Sequence, residues 1–295
     1  MLPVLFEIGP FRVYGYGLML GISFLVGSYV LAKQLSWRKL DPNIATTVTI
    51  LAVIFGISGA KMLYLVEDWA TFIHDPLGTA FSPGGLTWYG GFALGMLAVY
   101  LFIRRKKVPY LKFLDALGVA LILAYGVGRI GCHLSGDGDY GYPTTLPWGT
   151  IYAQGTSKPM YALEGYFLAH PEESRVWHFD SLKVLPGGID RMGNRYSRFD
   201  QVTPLHPAPV YELLLGLAGF GILVALSKRG FPDGVLFMLY LMLASLFRFV
   251  VEFLRLNPHL AFGLSEAQLI AIPLFLGGGA GALLLSRKKK QIGSV

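Results

Sequence analysis

Apolar residues along this chain fall into seven long runs, which shorter polar segments separate. Each run is long enough to cross the hydrocarbon core of a bilayer as an α-helix, which takes about 20 residues. The pattern therefore predicts an all-α integral membrane protein with about seven transmembrane helices. The predicted spans cover residues 14–32, 45–66, 86–103, 113–134, 209–227, 234–254 and 264–286.

The composition agrees with a membrane protein, because 54% of the residues are hydrophobic and only 15% are charged. The net charge of +7 is interpreted as basic loops that face anionic lipid, so we expect no nucleic-acid partner. A single cysteine, Cys132, excludes an internal disulfide and a cysteine-built metal site. We expect no metal site and no cofactor.

The distribution of basic residues predicts the orientation in the membrane. Lysine and arginine follow the first, third, fifth and seventh runs, whereas the loop at residues 67–83 carries acids but neither lysine nor arginine. Basic loops stay on the cytoplasmic side. The amino terminus is therefore predicted outside and the carboxyl terminus in the cytoplasm.

One connection is much longer than the others. Residues 135–207 hold two tryptophans, many tyrosines and prolines, and mixed charge. Such aromatic content favours a folded excursion over disorder. We predict one multi-pass domain over residues 1–295, with residues 135–207 forming an external cap between the fourth and fifth spans.

Arginines near or inside apolar runs need a physical reason, because charge is costly in the bilayer. Arg129 lies among glycines at the end of the fourth run, and Arg248 lies several residues inside the sixth. Glu252 and Arg255 follow Arg248 at i+4 and i+7, which places the three on one helical face. An anionic ligand would explain these arginines. Snorkelling of Arg129 to the headgroups, or an internal Arg248–Glu252 ion pair, would also explain them.

Candidate proton acceptors lie where the long connection meets membrane segments. His206 precedes the fifth run, with Glu212 in the first turns of that run, and His133 follows Cys132 at the end of the fourth. Imidazole can accept a proton near neutral pH. An ordinary hydrogen-bonded histidine at the membrane rim is the alternative interpretation.

Several motifs occur in a characteristic order along most of the chain. They are YGYGL at residues 14–18, GGLTWYGG at 84–91, GRIG at 128–131, HP with YE at 206–212, and RFVVEFLR at 248–255. Together they resemble the prolipoprotein diacylglyceryl transferase family, enzymes of the bacterial inner membrane. The resemblance also implies about seven spans, an outside amino terminus and an external cap.

The resemblance implies a reaction and its partners. The diacylglyceryl group of phosphatidylglycerol would move to the thiol of the lipobox cysteine in the signal peptide of a preprolipoprotein, and glycerol phosphate would leave. Guanidinium groups suit a departing phosphate, and the thiol needs a base. Membrane lipid is thus a predicted partner. A carrier or binding protein for an anionic lipid, and an inactive relative, are the alternatives.

The chain departs from the family pattern at three positions. Tyr89 stands where members carry histidine, Cys132 where they carry asparagine, and Asp137 where they carry glutamate. Because a phenol is a poor base at neutral pH, His206 is our predicted base, with His133 and substrate phosphate as alternatives.

The predicted site residues divide into two groups. The predicted catalytic residues are His206, Arg129, Arg248 and Tyr89. The predicted substrate-binding residues are Arg129, Tyr16, Gly90, Gly91, Asp137, Glu212, Glu252 and Arg255.

Overall fold

The computed structural model describes residues 3–9, 11–82, 85–152, 155–156, 188–189, 195–196 and 204–292. The described chain is mostly helical, as its apolar runs predict. The helices are α1 (Gly15–Trp37), α2 (Ile44–Glu67), α3 (Trp69–His74), α4 (Pro76–Phe81), α5 (Trp88–Arg105), α6 (Tyr110–Ser135), α7 (Ala208–Ser227), α8 (Val235–Glu252) and α9 (Glu266–Ile292).

Short antiparallel hairpins complete the described structure. Strands β1 (Val4–Ile8) and β2 (Phe11–Tyr14) pair before α1, with Glu7 opposite Arg12. Strands β3 (Gly188–Ile189) and β4 (Arg195–Tyr196) pair within the long connection, and β5 (His259–Ala261) and β6 (Leu264–Ser265) pair between α8 and α9. These strands are too short to change the all-α class.

The predicted spans correspond well to the helices. Among the described residues, six helices are long and apolar enough to cross a membrane, namely α1, α2, α6, α7, α8 and α9 up to Arg287. The third predicted span, 86–103, coincides with α5, which begins with aromatic and glycine residues and ends with Arg104 and Arg105. The all-α membrane class is confirmed, whereas the count of seven spans stays a prediction.

Most of the predicted cap, residues 135–207, lies outside the described residues. Its described beginning and end are held to each other by backbone hydrogen bonds. Thr150 and Leu205 exchange N–H···O bonds of 2.9 Å, and the N–H of Thr144 donates to the carbonyl of Pro204 at 2.9 Å. The cap as a whole and its external position stay predictions.

The chain divides into two compact units, residues 27–120 and residues 1–26 with 121–295. The first unit contains a tight crossing between α2 and α5. A Cβ atom at Gly90 would lie 2.5 Å from the Cβ of Leu63 and 3.0 Å from the carbonyl carbon of Gly59. A Cβ at Gly91 would lie 2.7 Å from the carbonyl oxygen of Gly56. Small residues let the two helix backbones touch here.

The second unit contains the α6–α7 crossing. A Cβ at Gly216 would lie 3.0 Å from the Cα of Gly126, and one at Gly126 would lie 3.3 Å from the carbonyl oxygen of Leu213. Helix α1 also contacts α6, because the Ser23 hydroxyl donates to the carbonyl of Ala124 at 2.9 Å. These contacts fix the end of α6 that carries Arg129.

Candidate active site

The α6–α7 crossing explains how Arg129 meets Glu212. Arg129 lies three residues after Gly126 on α6, and Glu212 lies four residues before Gly216 on α7. One helical turn beyond the crossing therefore brings the two side chains together. The Nε of Arg129 lies 3.0 Å from the Oε2 of Glu212. Pro207 and Pro209 start α7 at the place where this glutamate is presented.

Glu212 is the acid at the centre of an ion-pair network that we call the arginine cluster. Its side chain is 2% exposed, and its Oε1 lies 2.7 Å from the Nη1 of Arg248 and 3.5 Å from the Nη1 of Arg255. One buried carboxylate thus contacts three guanidinium groups on three segments of the chain. The members of the cluster are Arg129, Arg248, Arg255, Glu212, Glu252 and Asp139.

The Arg248–Glu252 pair on α8 forms as its i, i+4 spacing predicts, but α8 ends at Glu252, so the prediction that Arg255 shares this helical face is wrong. The Nη2 of Arg248 lies 3.0 Å from the Oε2 of Glu252, and the Nε of Arg255 lies 3.6 Å from the same oxygen. The other carboxylate oxygen of Glu252 accepts from the amide of Asn257 at 2.6 Å and from the hydroxyl of Ser265 at 2.8 Å. Glu252 is therefore fixed on both sides. The internal Arg248–Glu252 pair exists, but it is one link of a larger network.

Asp139, rather than Asp137, supplies the cluster's third carboxylate. Its Oδ2 pairs with the Nη1 of Arg129 and its Oδ1 with the Nη2 of Arg255. In the described structure, Asp137 forms none of the ion pairs of the cluster. The placement of Asp137 in a headgroup pocket stays a prediction.

The two aspartates differ in pKa as their surroundings require. Burial raises the pKa of Asp139, but the guanidinium groups of Arg129 and Arg255 more than offset it, so the pKa lies below its usual value. Burial dominates at Asp137 and holds the pKa of that carboxyl above its usual value. Asp139 is thus the acid that keeps its negative charge most firmly.

Tyr125 is a member of the site that the sequence motifs did not reveal. Its hydroxyl donates to the Oε1 of Glu212 at 2.8 Å, and the guanidinium of Arg129 lies 4.7 Å from its ring centroid. A cation over an aromatic face is attracted to the ring. Tyr125 lies one turn before Arg129 on α6, and this i, i+4 spacing is the signal that could have identified it.

Snorkelling to the headgroups is not enough to explain Arg129, because its guanidinium pairs with Glu212 and Asp139. Its Nη1 also lies 3.5 Å from the Sγ of the buried Cys132. Tyr16 lies on α1 near the same turn, since a Cβ at Gly131 would lie 3.4 Å from the Cα of Tyr16. The side chain of Tyr16 is exposed.

The predicted base, His206, is held in a short hydrogen-bond chain. Its Nδ1 lies 3.0 Å from the hydroxyl of Tyr211, which accepts from the indole N–H of Trp148 at 2.9 Å. Burial lowers the pKa of His206, so the imidazole is neutral at neutral pH, as a base must be. When Tyr211 donates to Nδ1, the neutral ring carries its proton on Nε2. When Nδ1 donates to Tyr211, Nε2 is the free acceptor.

The backbone links His206 to the arginine cluster. Gly141 donates its N–H to the carbonyl of His206 at 2.9 Å and forms an antiparallel bridge with Arg255. A Cβ at Gly141 would lie 2.6 Å from the Cβ of His206. Only glycine fits between these two segments.

The alternative base, His133, lies in a different environment. Its Nδ1 lies 3.2 Å from the hydroxyl of Tyr152, and the Tyr152 ring packs against Tyr140 at 4.9 Å between centroids. Tyr140 and Tyr152 are buried. An aromatic packing role accounts for these contacts.

Tyr89, Gly90 and Gly91 lie in the unit of residues 27–120. The Tyr89 ring packs edge-on against Trp88 at 5.4 Å between centroids and is exposed. Gly90 and Gly91 contact α2, as described above, which gives both glycines a packing role. Their substrate roles stay predictions.

One group of possible metal ligands occurs among the described residues. Ligand atoms of Cys132, Asp137 and Asp139 lie within 4.8 Å of one another. Asp139, however, already faces two guanidinium groups. A divalent cation bound there would be repelled by them.

Known proteins match the chain along nearly its whole length. A sequence model described as prolipoprotein diacylglyceryl transferase matches residues 3–284. The phosphatidylglycerol–prolipoprotein diacylglyceryl transferase of Parasynechococcus marenigrum is 27% identical, over 98% of this chain and 96% of its own. The enzymes of the same name from Clostridium tetani and Geobacter sulfurreducens are 29% and 28% identical, over 88% and 97% of this chain and 87% and 96% of theirs. The chain belongs to the prolipoprotein diacylglyceryl transferase family.

Proposed function

We propose that this membrane transferase moves the diacylglyceryl group of phosphatidylglycerol to the lipobox cysteine thiol of preprolipoproteins, with release of glycerol phosphate. The names of its relatives give phosphatidylglycerol and prolipoprotein as their substrates. The arginine cluster is the observation that carries the proposal. Three guanidinium groups, one on α6, one on α8 and one just beyond the end of α8, are well suited to bind a phosphodiester headgroup.

In the proposed reaction, the thiolate sulfur attacks the glycerol carbon that bears the phosphate. A carbon–sulfur bond forms as the carbon–oxygen bond breaks, and the electron pair stays on the departing phosphate oxygen. The glycerol phosphate therefore gains negative charge in the transition state. Arginines held in advance by carboxylates can stabilise that charge without rearranging.

Arg129 and Arg248 are the proposed phosphate ligands. Their side chains are 17% and 27% exposed, whereas that of Arg255 is 5% exposed. A lipid headgroup can therefore approach the first two more readily. Glu212, Glu252 and Arg255 hold these two guanidinium groups in position. Tyr16 and Asp137 remain the residues proposed to line the headgroup pocket. Gly90 and Gly91 keep their predicted substrate-binding role.

His206 is the proposed base that takes the proton of the incoming thiol. The neutral imidazole and its tie to Gly141 and Arg255 support this role. Tyr211 and Trp148 would set the ring orientation. Tyr89 occupies the place of the family's histidine and is the alternative participant in catalysis.

The proposed setting is the bacterial inner membrane, with the arginine cluster at the outer face. Basic residues at the ends of α1, α5, α7 and α9 support a cytoplasmic carboxyl terminus. A reporter fused after Val295 should read cytoplasmic, and one inserted at Gly155 should read external. Opposite readings at both places would move the proposed site to the wrong face.

The transferase activity can be tested with purified protein, phosphatidylglycerol vesicles and a lipobox peptide. Mass spectrometry should find a diacylglyceryl thioether on the peptide's cysteine. A peptide with serine in place of that cysteine is the matched control and should gain nothing. Folded protein that binds phosphatidylglycerol but forms no thioether would instead support a lipid-binding protein or an inactive relative.

A further inference from the structure

Asp139 differs from the other two carboxylates of the arginine cluster in its exposure and in its place in the chain. Glu212 and Glu252 lie on helices, are 2% and 1% exposed, and receive further hydrogen bonds from Tyr125 and Asn257. Asp139 lies between α6 and α7 and is 23% exposed. Within the described chain, its only ion-pair partners are two arginines of the cluster. It is therefore the carboxylate that can leave most easily.

The geometry of Asp139 matches that of a bound phosphodiester. Each of its two oxygens pairs with a different guanidinium, one on Arg129 and one on Arg255. The two free oxygens of a phosphodiester offer the same acceptor pattern and the same charge of −1. The carboxylate therefore stands where an anionic headgroup would bind.

The charge balance of the cluster determines whether Asp139 can stay when a phosphodiester binds. Three guanidinium groups face three carboxylates, so the formal charge of the cluster is zero when all six are ionised. An added phosphodiester would leave an uncompensated negative charge in a largely buried place, which is costly. Displacement of one carboxylate into solvent removes that cost.

The backbone around Asp139 permits the side chain to move alone. The next residue, Tyr140, is buried, and its carbonyl accepts from the N–H of Leu256 at 3.2 Å. Gly138 precedes it with φ +110°, a conformation that only glycine adopts readily. The backbone on the Tyr140 side is thus anchored, while the carboxylate can rotate towards the solvent it already touches.

We propose that Asp139 is an internal anion that competes with the substrate phosphate for Arg129, while Arg255 stays a positioning group, and so sets the affinity for the lipid phosphate. This inference rests on the proposed function and goes beyond it. Asp139 holds the two guanidinium groups in position before the lipid arrives and rotates away when the phosphate binds. A lipid without a phosphate cannot displace it, so the exchange favours phospholipids.

Asp139→Asn keeps the shape of the side chain and removes its charge. In the lipobox-peptide assay, the KM for phosphatidylglycerol should fall about tenfold, because a charge-assisted interaction no longer competes. Asp139→Glu keeps the charge, so its KM should fall much less than that of Asp139→Asn. Glu7→Gln removes a carboxylate from the exposed Glu7–Arg12 pair and is the matched control.

Thermal unfolding with and without inorganic phosphate gives a second readout that needs no turnover. The increase in Tm that phosphate causes should be at least about twice as large in Asp139→Asn as in the wild-type protein. Where the wild-type protein turns over, the KM decides. If the wild-type protein shows no turnover, the change in Tm caused by phosphate tests the role of Asp139 instead. Failure of the proposed function is thus distinguished from failure of this inference.

An unchanged or raised KM in folded Asp139→Asn would show that Asp139 only positions the arginines, and would overturn the inference. If Asp139→Asn does not insert, Asp139→Ser takes its place with the same expectations. If neither neutral variant folds while Asp139→Glu does, the carboxylate is a fixed structural partner, which also overturns the inference.

Discussion

Two helix crossings in this protein use glycine in the same way but present different residues beyond it. At the α2–α5 crossing, Gly59 and Gly90 bring two helix backbones into contact. At the α6–α7 crossing, Gly126 and Gly216 do the same. One turn beyond the second pair lie Arg129 and Glu212, which form an ion pair.

The difference shows that close packing and chemistry are separate properties of a glycine motif. Glycine lets helices approach, and at α2–α5 the approach gives backbone contact beside a hydrogen bond from the N–H of Thr87 to the carbonyl of Ala60 at 3.1 Å. At α6–α7 the same approach brings together a cation and an anion that neither helix could bury by itself. The charged residues, rather than the glycines, therefore define the site proposed for the anionic lipid.

The largest effect is expected for Arg129, whose guanidinium lies beside the α6–α7 crossing. Arg129→Ala should lower kcat by about 10³-fold, because a preorganised charge that faces the departing phosphate is lost. Arg129→Lys keeps the charge but loses the planar fork and should also be impaired. The measurement is kcat in the lipobox-peptide assay with protein shown to be inserted. Full activity in Arg129→Ala would show that the α6–α7 crossing has a packing role and no catalytic role.

Glu212→Gln tests whether the cluster is also a structural unit. The change leaves three guanidinium groups facing a neutral amide in a buried place. Removal of one partner from a buried ion-pair network costs about 3–5 kcal/mol. Thermal unfolding in detergent should therefore show a much lower Tm than for the exposed control Glu7→Gln. Equal Tm values would mean that the network contributes little to stability.

His206 and Tyr89, which lie in different compact units, are the two candidates for the proton acceptor. His206→Ala should lower kcat by about 10²-fold, as loss of a general base does. In the wild-type protein, kcat/KM should fall as the pH drops below the pKa of His206, which burial places below its usual value. Tyr89→Phe keeps the ring and should retain much of the activity. A dead Tyr89→Phe enzyme beside a near-normal His206→Ala enzyme would reverse the assignment.

The smallest effect is expected from a methyl group added at each crossing. Gly90→Ala should destabilise the protein by about 1–3 kcal/mol, because its Cβ would overlap the Cβ of Leu63. Gly216→Ala meets longer distances, from 3.0 Å, and should cost less stability. The KM for phosphatidylglycerol distinguishes the packing role of Gly90 from its predicted substrate-binding role. It should rise in Gly90→Ala only if that glycine also binds substrate, as the sequence predicts.

The sequence predicted the helices well because their cause is local. Apolar runs of spanning length leave few alternatives, and six of the predicted spans coincide with apolar helices in the described structure. The Arg248–Glu252 pair on α8 was equally predictable from its i, i+4 spacing, whereas Arg255 was wrongly placed on the same helical face, because α8 ends at Glu252. Glu212 was named from its position in the motif, and its ion pairs appear only when α6, α7 and α8 meet.

Residues brought in from separate segments could not be predicted in the same way. Asp139 pairs with Arg129 and Arg255, although Asp137 lies nearer in sequence to the motif. Ser265 contacts Glu252 across the β5–β6 hairpin, and no periodicity links the two. Such contacts depend on where a loop returns, and a turn glycine such as Gly138 does not encode that distance.

The position of Gly126 and Gly216 has a mechanical consequence for a protein that works in bilayers of varying thickness. Membrane thickness changes the tilt of transmembrane helices. If α6 and α7 tilt about their closest approach, Arg129 lies three residues from that point, about 4.5 Å along the helix axis. A relative tilt of about 10° therefore moves Arg129 past Glu212 by less than about 1 Å. The ion pair sits close enough to that point to survive helix tilting that would separate residues at the far ends of the same two helices.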